Sequence, residues 1–264
     1  MDKCISPDKA AGLVQDGATV AFGGNVLYRS PVQIAARLAL AGVRELTVVK
    51  TAIAMEADIL CGAGCAKALM AGFVGYETQF GLCGFYRKAV ESGETAALEH
   101  SCYSVITALR AAVQGVPFLP VRGMLGSDLM SCMGFLTVKD PYTGEELCAV
   151  QAVRPDVAFL HVQRADRFGN AEITGPQYED QIVARSARKL IVTCEELVDD
   201  SYFGQNNKAD ISSVLVSHVV VASGGAAPGD CEGYYDINED KMSKFKMLKT
   251  REELMGFLRE EVKA

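Results

Sequence analysis

The sequence has no apolar run long enough to cross a membrane. Its longest apolar stretches, such as residues 214–222, contain polar breaks and are far shorter than the roughly 20 residues that span a bilayer. The first ten residues, MDKCISPDKA, contain no apolar core of the signal-peptide type. We therefore expect a cytoplasmic protein that does not enter the membrane.

The sequence also lacks an excess of positive charge. It has 26 basic and 33 acidic residues, a formal net charge of -7, and no basic stripe offsets this balance. Such a charge distribution repels nucleic acid and anionic membranes, so neither is an expected partner. A negatively charged ligand would therefore depend on local hydrogen-bond donors.

Few residues are available to bind a metal ion. The three histidines, His100, His161 and His218, are isolated from one another, and the tightest cysteine pair is Cys61-x3-Cys65. A zinc site needs a second pair or histidines at a fitting spacing. The nine cysteines therefore indicate buried thiols in a reducing compartment, and we expect no metal site.

What the chain does contain is an alternation of helices and short apolar strands. Ser6-Pro7 is predicted to begin a helix that continues to about residue 15, and residues 18–22 are predicted to form a strand. Ser30-Pro31 is predicted to begin a second helix, and residues 45–50 a second strand. This order is typical of βαβ units in a parallel sheet.

The rest of the chain continues the alternation. Strands are predicted at residues 67–74, 156–162, 190–193 and 214–221, and helices at 82–92, 104–114, 178–188 and 251–262. Residues 123–146 are predicted to form a long irregular loop of the kind that is often functional. We predict a single α/β domain, residues 1–264, with a mostly parallel sheet covered by helices.

The loop Phe22-Gly23-Gly24-Asn25 is the first candidate for chemistry. Two glycines after a strand allow a ligand to approach the backbone, and the following helix start adds a partial positive charge. The loop matches neither the dinucleotide-binding pattern nor the P-loop. On spacing alone, a ligand loop and a tight turn are equally good interpretations.

Two other polar segments leave alternatives open. The run from His161 to Asn170 follows a buried strand, where ligand sites in α/β sheets lie, but a core histidine followed by a turn fits as well. Cys194 has no base evident in the sequence. We interpret it as a core residue before a helix that begins at Glu195-Glu196, since acids suit helix N-termini.

No segment combines a nucleophile with an adjacent base and oxyanion donors. The one Glu-x-Gly segment with helical context, Glu91-Ser92-Gly93, is best explained as the end of a helix. The residues alone therefore indicate an α/β chain with a glycine loop and no complete catalytic apparatus.

Seven segments in order nevertheless resemble one protein family. They are residues 17–24 (GATVAFGG), 75–82 (GYETQFGL), 115–122 (GVPFLPVR), 123–129 (GMLGSDL), 161–170 (HVQRADRFGN), 191–196 (IVTCEE) and 231–236 (CEGYYD). They resemble the A-type (alpha) subunits of family I coenzyme A-transferases, similar to the alpha subunit of glutaconate CoA-transferase. The likeness extends from about residue 3 to residue 240.

The resemblance implies a CoA-transferase-like fold and a homologous B-type CoA-transferase subunit as partner, which carries the nucleophilic glutamate. It implies a hetero-oligomer of A-type and B-type chains in which this chain is inactive alone. Its substrates would be an acyl-CoA and a small carboxylic or dicarboxylic acid, without a permanently bound cofactor. The reaction would be covalent, with ping-pong order.

The resemblance also implies which residues of this chain form the acyl pocket. No catalytic residue is expected here, because the glutamate belongs to the partner. The candidate substrate-binding residues lie in three loops: Gly23, Gly24, Asn25, Arg29, Gln79, Phe80, Gly81, Gly126 and Ser127.

Three positions depart from the family pattern or separate its members. Asn25 stands where the family often has Phe, and Gly225-Ala226-Ala227-Pro228 lacks a family histidine. Ring-opening hydrolases of the same superfamily resemble this chain too, but they carry an acid where Cys102 aligns. A hydrolase subunit is therefore the alternative to a transferase subunit, and a non-catalytic acyl-CoA-binding module is the third hypothesis.

Overall fold

The structure, a computed structural model, describes residues 1–204 and 207–263. Its strands are β1 (Thr19–Phe22), β2 (Leu46–Val49), β3 (Ala52–Ile53), β4 (Ala66–Ala71), β5 (Phe73–Val74), β6 (Ala96–Glu99), β7 (Phe118–Val121), β8 (Leu136–Lys139), β9 (Glu146–Gln151), β10 (Val157–Ala165), β11 (Ala171–Glu172), β12 (Lys189–Leu197) and β13 (Val216–Val221). Its helices are α1 (Pro7–Ala11), α2 (Val32–Ala41), α3 (Met55–Gly62), α4 (Glu77–Phe80), α5 (Gly84–Glu91), α6 (Cys102–Gln114), α7 (Leu129–Cys132), α8 (Asp180–Ser186), α9 (Glu239–Met247) and α10 (Arg251–Lys263).

A parallel sheet with the strand order β13-β12-β10-β1-β2-β4-β6 forms the centre of the fold. Only β11, which pairs with the end of β10, is antiparallel within the described part of this sheet. Strand β10 is buried at eight of its nine positions, as expected for a parallel strand with helices on both faces. The predicted α/β fold with a mostly parallel sheet is confirmed.

The two faces of the sheet belong to two separate apolar cores. Val20 and Phe22 of β1 point into a core that contains side chains of α2, α3 and α10. Ala21, between them, points into a second core with side chains of α6 and α8. This alternation follows from the two-residue period of a strand. None of the described helices is long and apolar enough to cross a bilayer.

Strand β1 lies at the point where the chain changes direction across the sheet. On one side it pairs with β2, from which the chain continues to β4 and β6. On its other side β1 pairs with β10, where the chain returns after residue 156. Ligand sites in α/β sheets commonly lie beyond the carboxyl ends of strands at such a position.

Three sequence predictions need correction. Residues 123–146 are not an irregular loop, because they contain α7 and β8, and β8 joins β7 and β9 in an antiparallel sheet of order β7-β9-β8. Glu195 and Glu196 do not begin a helix, since they extend β12 alongside the end of β10. Residues 67–74 do not form one strand, because Gly72 separates β4 from β5.

Other differences concern helix boundaries. Helix α2 begins at Val32 without a side-chain cap, because the Ser30 hydroxyl donates instead to the carbonyl of Val26. Helix α3 was absent from the sequence prediction. Its residues Glu56 and Asp58 are buried together with their apolar neighbours, so α3 shows no clear polar face in the sequence.

Candidate functional site

An open pocket of about 780 Å³ lies beyond the carboxyl ends of β1, β2, β4 and β6, which are neighbours in the sheet. Each strand end contributes a lining residue: Asn25 follows β1, Ala52 follows β2, Phe73 follows β4 and Cys102 follows β6. The remaining lining residues are Val26, Val74, Gly75, Glu77, Thr78, Gly81 and Leu82. Because parallel strands end at one edge, this position follows from the topology.

The glycine loop supports this pocket through close packing. A Cβ atom on Gly23 would overlap the side chains of Leu160 and Asp180. Gly24 has φ +68°, and a Cβ there would lie 2.5 Å from the carbonyl oxygen of Arg29. Only glycine therefore fits either position.

The backbone amides of the loop are already hydrogen bonded. The N–H groups of Gly23, Gly24 and Asn25 donate to the carbonyl of Phe159, to Asp180 Oδ1 and to the carbonyl of Tyr28, at 2.9, 2.8 and 2.9 Å. They are therefore not free to bind a ligand. What this loop offers the pocket is the Asn25 side chain.

Arg29 lies behind the pocket rather than in its wall. The residue is 2% exposed, and its Nη2 atom lies 2.7 Å from Asp180 Oδ2 and donates to the carbonyl of Pro176. Its Nη1 atom donates to the carbonyl of His161 in β10. The guanidinium therefore joins the loop after β1 to the other half of the sheet, in a buried and charge-compensated arrangement.

Lys50 and Thr51, which directly follow β2, bond to opposite sides of the molecule. The Lys50 ammonium is fully buried between Glu56 Oε1, at 2.8 Å, and the Ser30 hydroxyl, at 2.7 Å. The Thr51 hydroxyl donates to the carboxylate of Glu179. Thus Glu179 and Asp180, adjacent at the start of α8, contact the loops after β2 and β1 respectively.

Cys102 connects this buried network to the pocket. It lines the pocket at the first residue of α6, and its Sγ atom lies 3.5 Å from the carbonyl oxygen of Thr51. Burial and the nearby charge of Glu179 raise the pKa of the Cys102 thiol. Burial also raises the pKa of Glu179 itself, against the hydrogen bond from Thr51. The Cys102 side chain is therefore a neutral thiol near pH 7.

The predicted loop residues 79–81 are partly at the pocket. Gly81 lines it, with φ +71°. The Gln79 side chain donates to Glu239 and lines a smaller neighbouring pocket. Phe80 packs against the apolar core beside α3 and α10. Of these three residues, only Gly81 shares the pocket with Asn25.

Gly126 and Ser127 lie in the exposed segment before α7, next to the antiparallel sheet. The Ser127 hydroxyl donates to the carbonyl of Met124 at 2.6 Å. Neither residue is among those that line the described pocket. Their predicted role in substrate binding stays a prediction.

A second polar cluster surrounds His161. Its Nε2 atom lies 2.7 Å from Glu195 Oε1, and its Nδ1 atom lies 2.8 Å from the Thr193 hydroxyl. Glu195 also accepts hydrogen bonds from the Tyr235 hydroxyl and from the backbone N–H of Gly224. Burial opposes ionisation of Glu195, but these bonds outweigh it and lower the pKa of its carboxyl.

The same cluster has the spacing of a metal site. Donor atoms of His161, Glu195 and Cys231 lie within 4.8 Å of one another. However, hydrogen bonds from protein groups already surround the Glu195 carboxylate. His161 is therefore satisfied as a hydrogen-bonded core histidine, and Asp166 to Asn170 form the turn between β10 and β11.

The family model described as coenzyme A transferase matches residues 5–222. The chain therefore belongs to the coenzyme A transferase family. It is 30% identical to the alpha subunit of glutaconate CoA-transferase from Acidaminococcus fermentans, over 96% of this chain and 85% of that protein. It is 33% identical to the IpdA subunit of a cholesterol ring-cleaving hydrolase from Rhodococcus jostii, over 85% of this chain and 79% of that protein.

Solved structures agree with these relationships. Glutaconate coenzyme A-transferase from Acidaminococcus fermentans matches with a TM-score of 0.92 and 29% identity, over 98% of this chain and 88% of that chain. A variant of the decarboxylase AibA/AibB matches with a TM-score of 0.91 and 30% identity, over 100% of both chains. The chain spans 57% of the length of an uncharacterised Archaeoglobus fulgidus protein to which it is 33% identical.

Several residues of the site had no signal in the sequence. Lys50, Thr51 and Glu179 are each ordinary polar residues at the end or start of an element. The bond between Thr51 and Glu179 joins residues 128 positions apart. Strand order, which brings α8 back beside β1 and β2, had to be known before these contacts could be predicted.

Proposed function

We propose that the chain is the A-type half of a two-subunit enzyme that acts on a coenzyme A thioester, with CoA transfer as its reaction. The observation that carries this proposal is the pocket beyond β1, β2, β4 and β6. It is open and about 780 Å³ in volume. Among its described lining residues, none forms a nucleophile with an adjacent base. Family membership gives the pocket its chemistry.

The nucleophile comes from a partner chain. Cys102 is the obvious nucleophile in this wall, and its thiol is kept protonated by burial and by Glu179. The rim carries two exposed apolar side chains, Phe73 at 41% and Leu82 at 64%. A partner chain that covers this rim would bury them and exclude water from the thioester.

The proposed reaction is covalent. A glutamate carboxylate of the partner attacks the thioester carbonyl carbon, the C–S bond breaks, and CoA leaves as a thiolate while an acyl anhydride forms. The thiolate then attacks the glutamyl carbonyl carbon, which releases the first acid as its carboxylate and leaves a glutamyl-CoA thioester. A second carboxylate reverses these steps and takes the CoA.

Hydrolysis is the second candidate, because a ring-cleaving hydrolase is among the relatives. The observation against it is Cys102, a neutral thiol at the position where the hydrolases were expected to carry an acid. A thiol with a raised pKa is a poor base for activating water. This contrast favours transfer over hydrolysis.

The test is to co-express a B-type subunit with this chain and to assay the complex on a panel of acyl-CoA thioesters. Transfer is measured as new acyl-CoA formed from an added acid, hydrolysis as free CoA without an acceptor, and decarboxylation as released CO2. Transfer, together with a hydroxylamine-sensitive glutamyl thioester on the partner, supports the proposal. Label found on this chain, or no reaction of any thioester, overturns it.

A matched pair of variants tests the pocket itself. Cys102→Ser changes a lining residue, whereas Cys132→Ser changes an exposed thiol outside the pocket. We expect a changed KM for the acyl-CoA only in the Cys102→Ser complex. Equal kinetics in both variants would place the acyl group elsewhere.

A further inference from the structure

We infer that the pocket beyond β1, β2, β4 and β6 accepts the neutral, apolar acyl group of a monocarboxylic acid and rejects an acyl group that ends in a second carboxylate. This inference rests on the proposed function, because it assumes that the pocket holds the acyl part of a thioester. It narrows the substrate from small acids in general to one class.

The lining of the pocket carries no positive charge. Of the described residues that line it, none is Lys, Arg or His, and Glu77 is the one with a formal charge. Asn25 and Thr78 offer neutral polar groups, and Val26 and Phe73 offer apolar surface. A terminal carboxylate would therefore lose its water without gaining a cation, which is strongly unfavourable.

The cations nearest to these loops are held by other groups. Arg29 is bound to Asp180 and to two carbonyl oxygens, and Lys50 is fully buried against Glu56. The ammonium of Lys246 donates to the carbonyl of Leu82 and stands 4.6 Å from the centroid of the Tyr76 ring. Lys246 lines a separate small pocket with Asp58. None of the three lies in the lining of the acyl pocket.

Negative charge lies behind the pocket instead. Glu179 is 6% exposed, and among the described residues its carboxylate accepts one hydrogen bond, from Thr51. It is close enough to Cys102 for its charge to oppose ionisation of that thiol. The same charge opposes a substrate carboxylate that reaches the Cys102 end of the pocket. Glu77 at the rim and Glu179 behind the wall therefore act in one direction.

The experiment compares two thioesters that differ only at the far end. Pentanoyl-CoA and glutaryl-CoA have acyl chains of equal length, with a methyl group in one replaced by a carboxylate in the other. With the co-expressed complex, we expect kcat/KM for pentanoyl-CoA to be higher by on the order of 10- to 100-fold, the range of a single pocket mismatch. The readout is consumption of thioester, so that transfer, hydrolysis and decarboxylation are all detected.

Two variants test the electrostatic cause. Thr78 is an exposed lining residue, so Thr78→Lys adds a cation to the pocket without burying it. We expect it to raise the relative rate on glutaryl-CoA about tenfold. Glu77→Gln removes the lining charge and should act in the same direction by a smaller factor. Thr143→Lys, in an exposed turn, is the matched control and should leave the ratio unchanged.

The outcomes separate this inference from the proposed function. If glutaryl-CoA reacts as well as or better than pentanoyl-CoA, the inference is overturned while the proposed function stands. If Thr78→Lys and Thr143→Lys give the same ratio, the assignment of this pocket to the acyl group is overturned. If no thioester on the panel reacts, the proposed function fails and the inference fails with it.

Discussion

The Nη2 atom of Arg29 lies 2.7 Å from Asp180 Oδ2, although the two residues are 151 positions apart in the chain. Both side chains are buried, at 3% and 0% exposure. Asp180 Oδ1 also accepts the N–H of Gly24. One carboxylate therefore fixes both ends of the loop after β1 to the start of α8, and this loop supplies Asn25 to the pocket.

Removal of this carboxylate should destabilise the protein strongly. In Asp180→Ala the guanidinium of Arg29 stays buried without its counterion, so we expect a loss of about 3–5 kcal/mol in the free energy of unfolding. Urea denaturation measures it. The control is Glu145→Ala, which breaks a surface pair with Arg122 whose side chains are 40% and 76% exposed and should cost at most about 1 kcal/mol. Equal losses in the two variants would contradict a structural role for the buried pair.

Glycine is required at residue 24 and replaceable at residue 42. Both residues have positive φ, +68° and +71°, so alanine is strained at each. Only at Gly24 would the new Cβ also meet backbone atoms, at 2.5 Å from the Arg29 carbonyl oxygen, whereas the space beside Gly42 is open. We expect Gly42→Ala to cost about 1 kcal/mol and Gly24→Ala at least about 3 kcal/mol. Thermal unfolding of the two variants would show similar midpoints if the close contact were unimportant.

The sequence predicted the frame of the fold because its signals are local. The strand at residues 18–22, the glycine pair and the following helix lie together in the sequence, and their order is enough to predict a parallel sheet. The resemblance to coenzyme A-transferase subunits was confirmed by the family match. Asn25 and Gly81, predicted from that resemblance, do share a pocket.

What the sequence could not predict depends on contacts between distant residues. Arg29 was predicted to contact substrate, but its partner Asp180 can be identified only when β10 is known to lie beside β1. Glu195 and Glu196 look like a helix start by local propensity, yet pairing with β10 extends β12 through them. In both cases tertiary structure overrode a weak local preference.

The Cys102 thiol should react slowly with alkylating agents until Glu179 loses its charge. Burial and then the charge of Glu179 raise the pKa of Cys102, and only the thiolate is alkylated. In Glu179→Gln the opposing charge is gone, so the thiol pKa falls and the rate of alkylation at pH 8 should rise several-fold, roughly 3- to 10-fold. The measurement is the pH dependence of iodoacetamide labelling in a background in which the exposed Cys4 and Cys132 are serine.

The control for that measurement is Glu145→Gln, which removes an exposed carboxylate far from the pocket in the chain's antiparallel sheet. It should leave the labelling profile of Cys102 unchanged. An unchanged profile in Glu179→Gln as well would show that the carboxylate does not influence the pocket, and it would weaken the electrostatic basis for rejecting dicarboxylic acyl groups.

Protonation of His100 should make the fold less stable in mild acid. Its Nδ1 atom lies 2.9 Å from the Ser104 hydroxyl and its ring meets that of Phe135 at 4.9 Å, and burial lowers the pKa of the imidazole from 6.5 to about 4. Between these two pH values the unfolded chain binds a proton that the folded chain does not. Stability is therefore complete above pH 6.5 and decreases as the pH falls towards 4, by about 1–3 kcal/mol from this residue. In His100→Gln this part of the decrease should disappear, so urea denaturation at pH 8 and pH 5 should give a smaller difference than in the unmodified protein. An identical difference in both proteins would mean that His100 titrates alike in the folded and unfolded states.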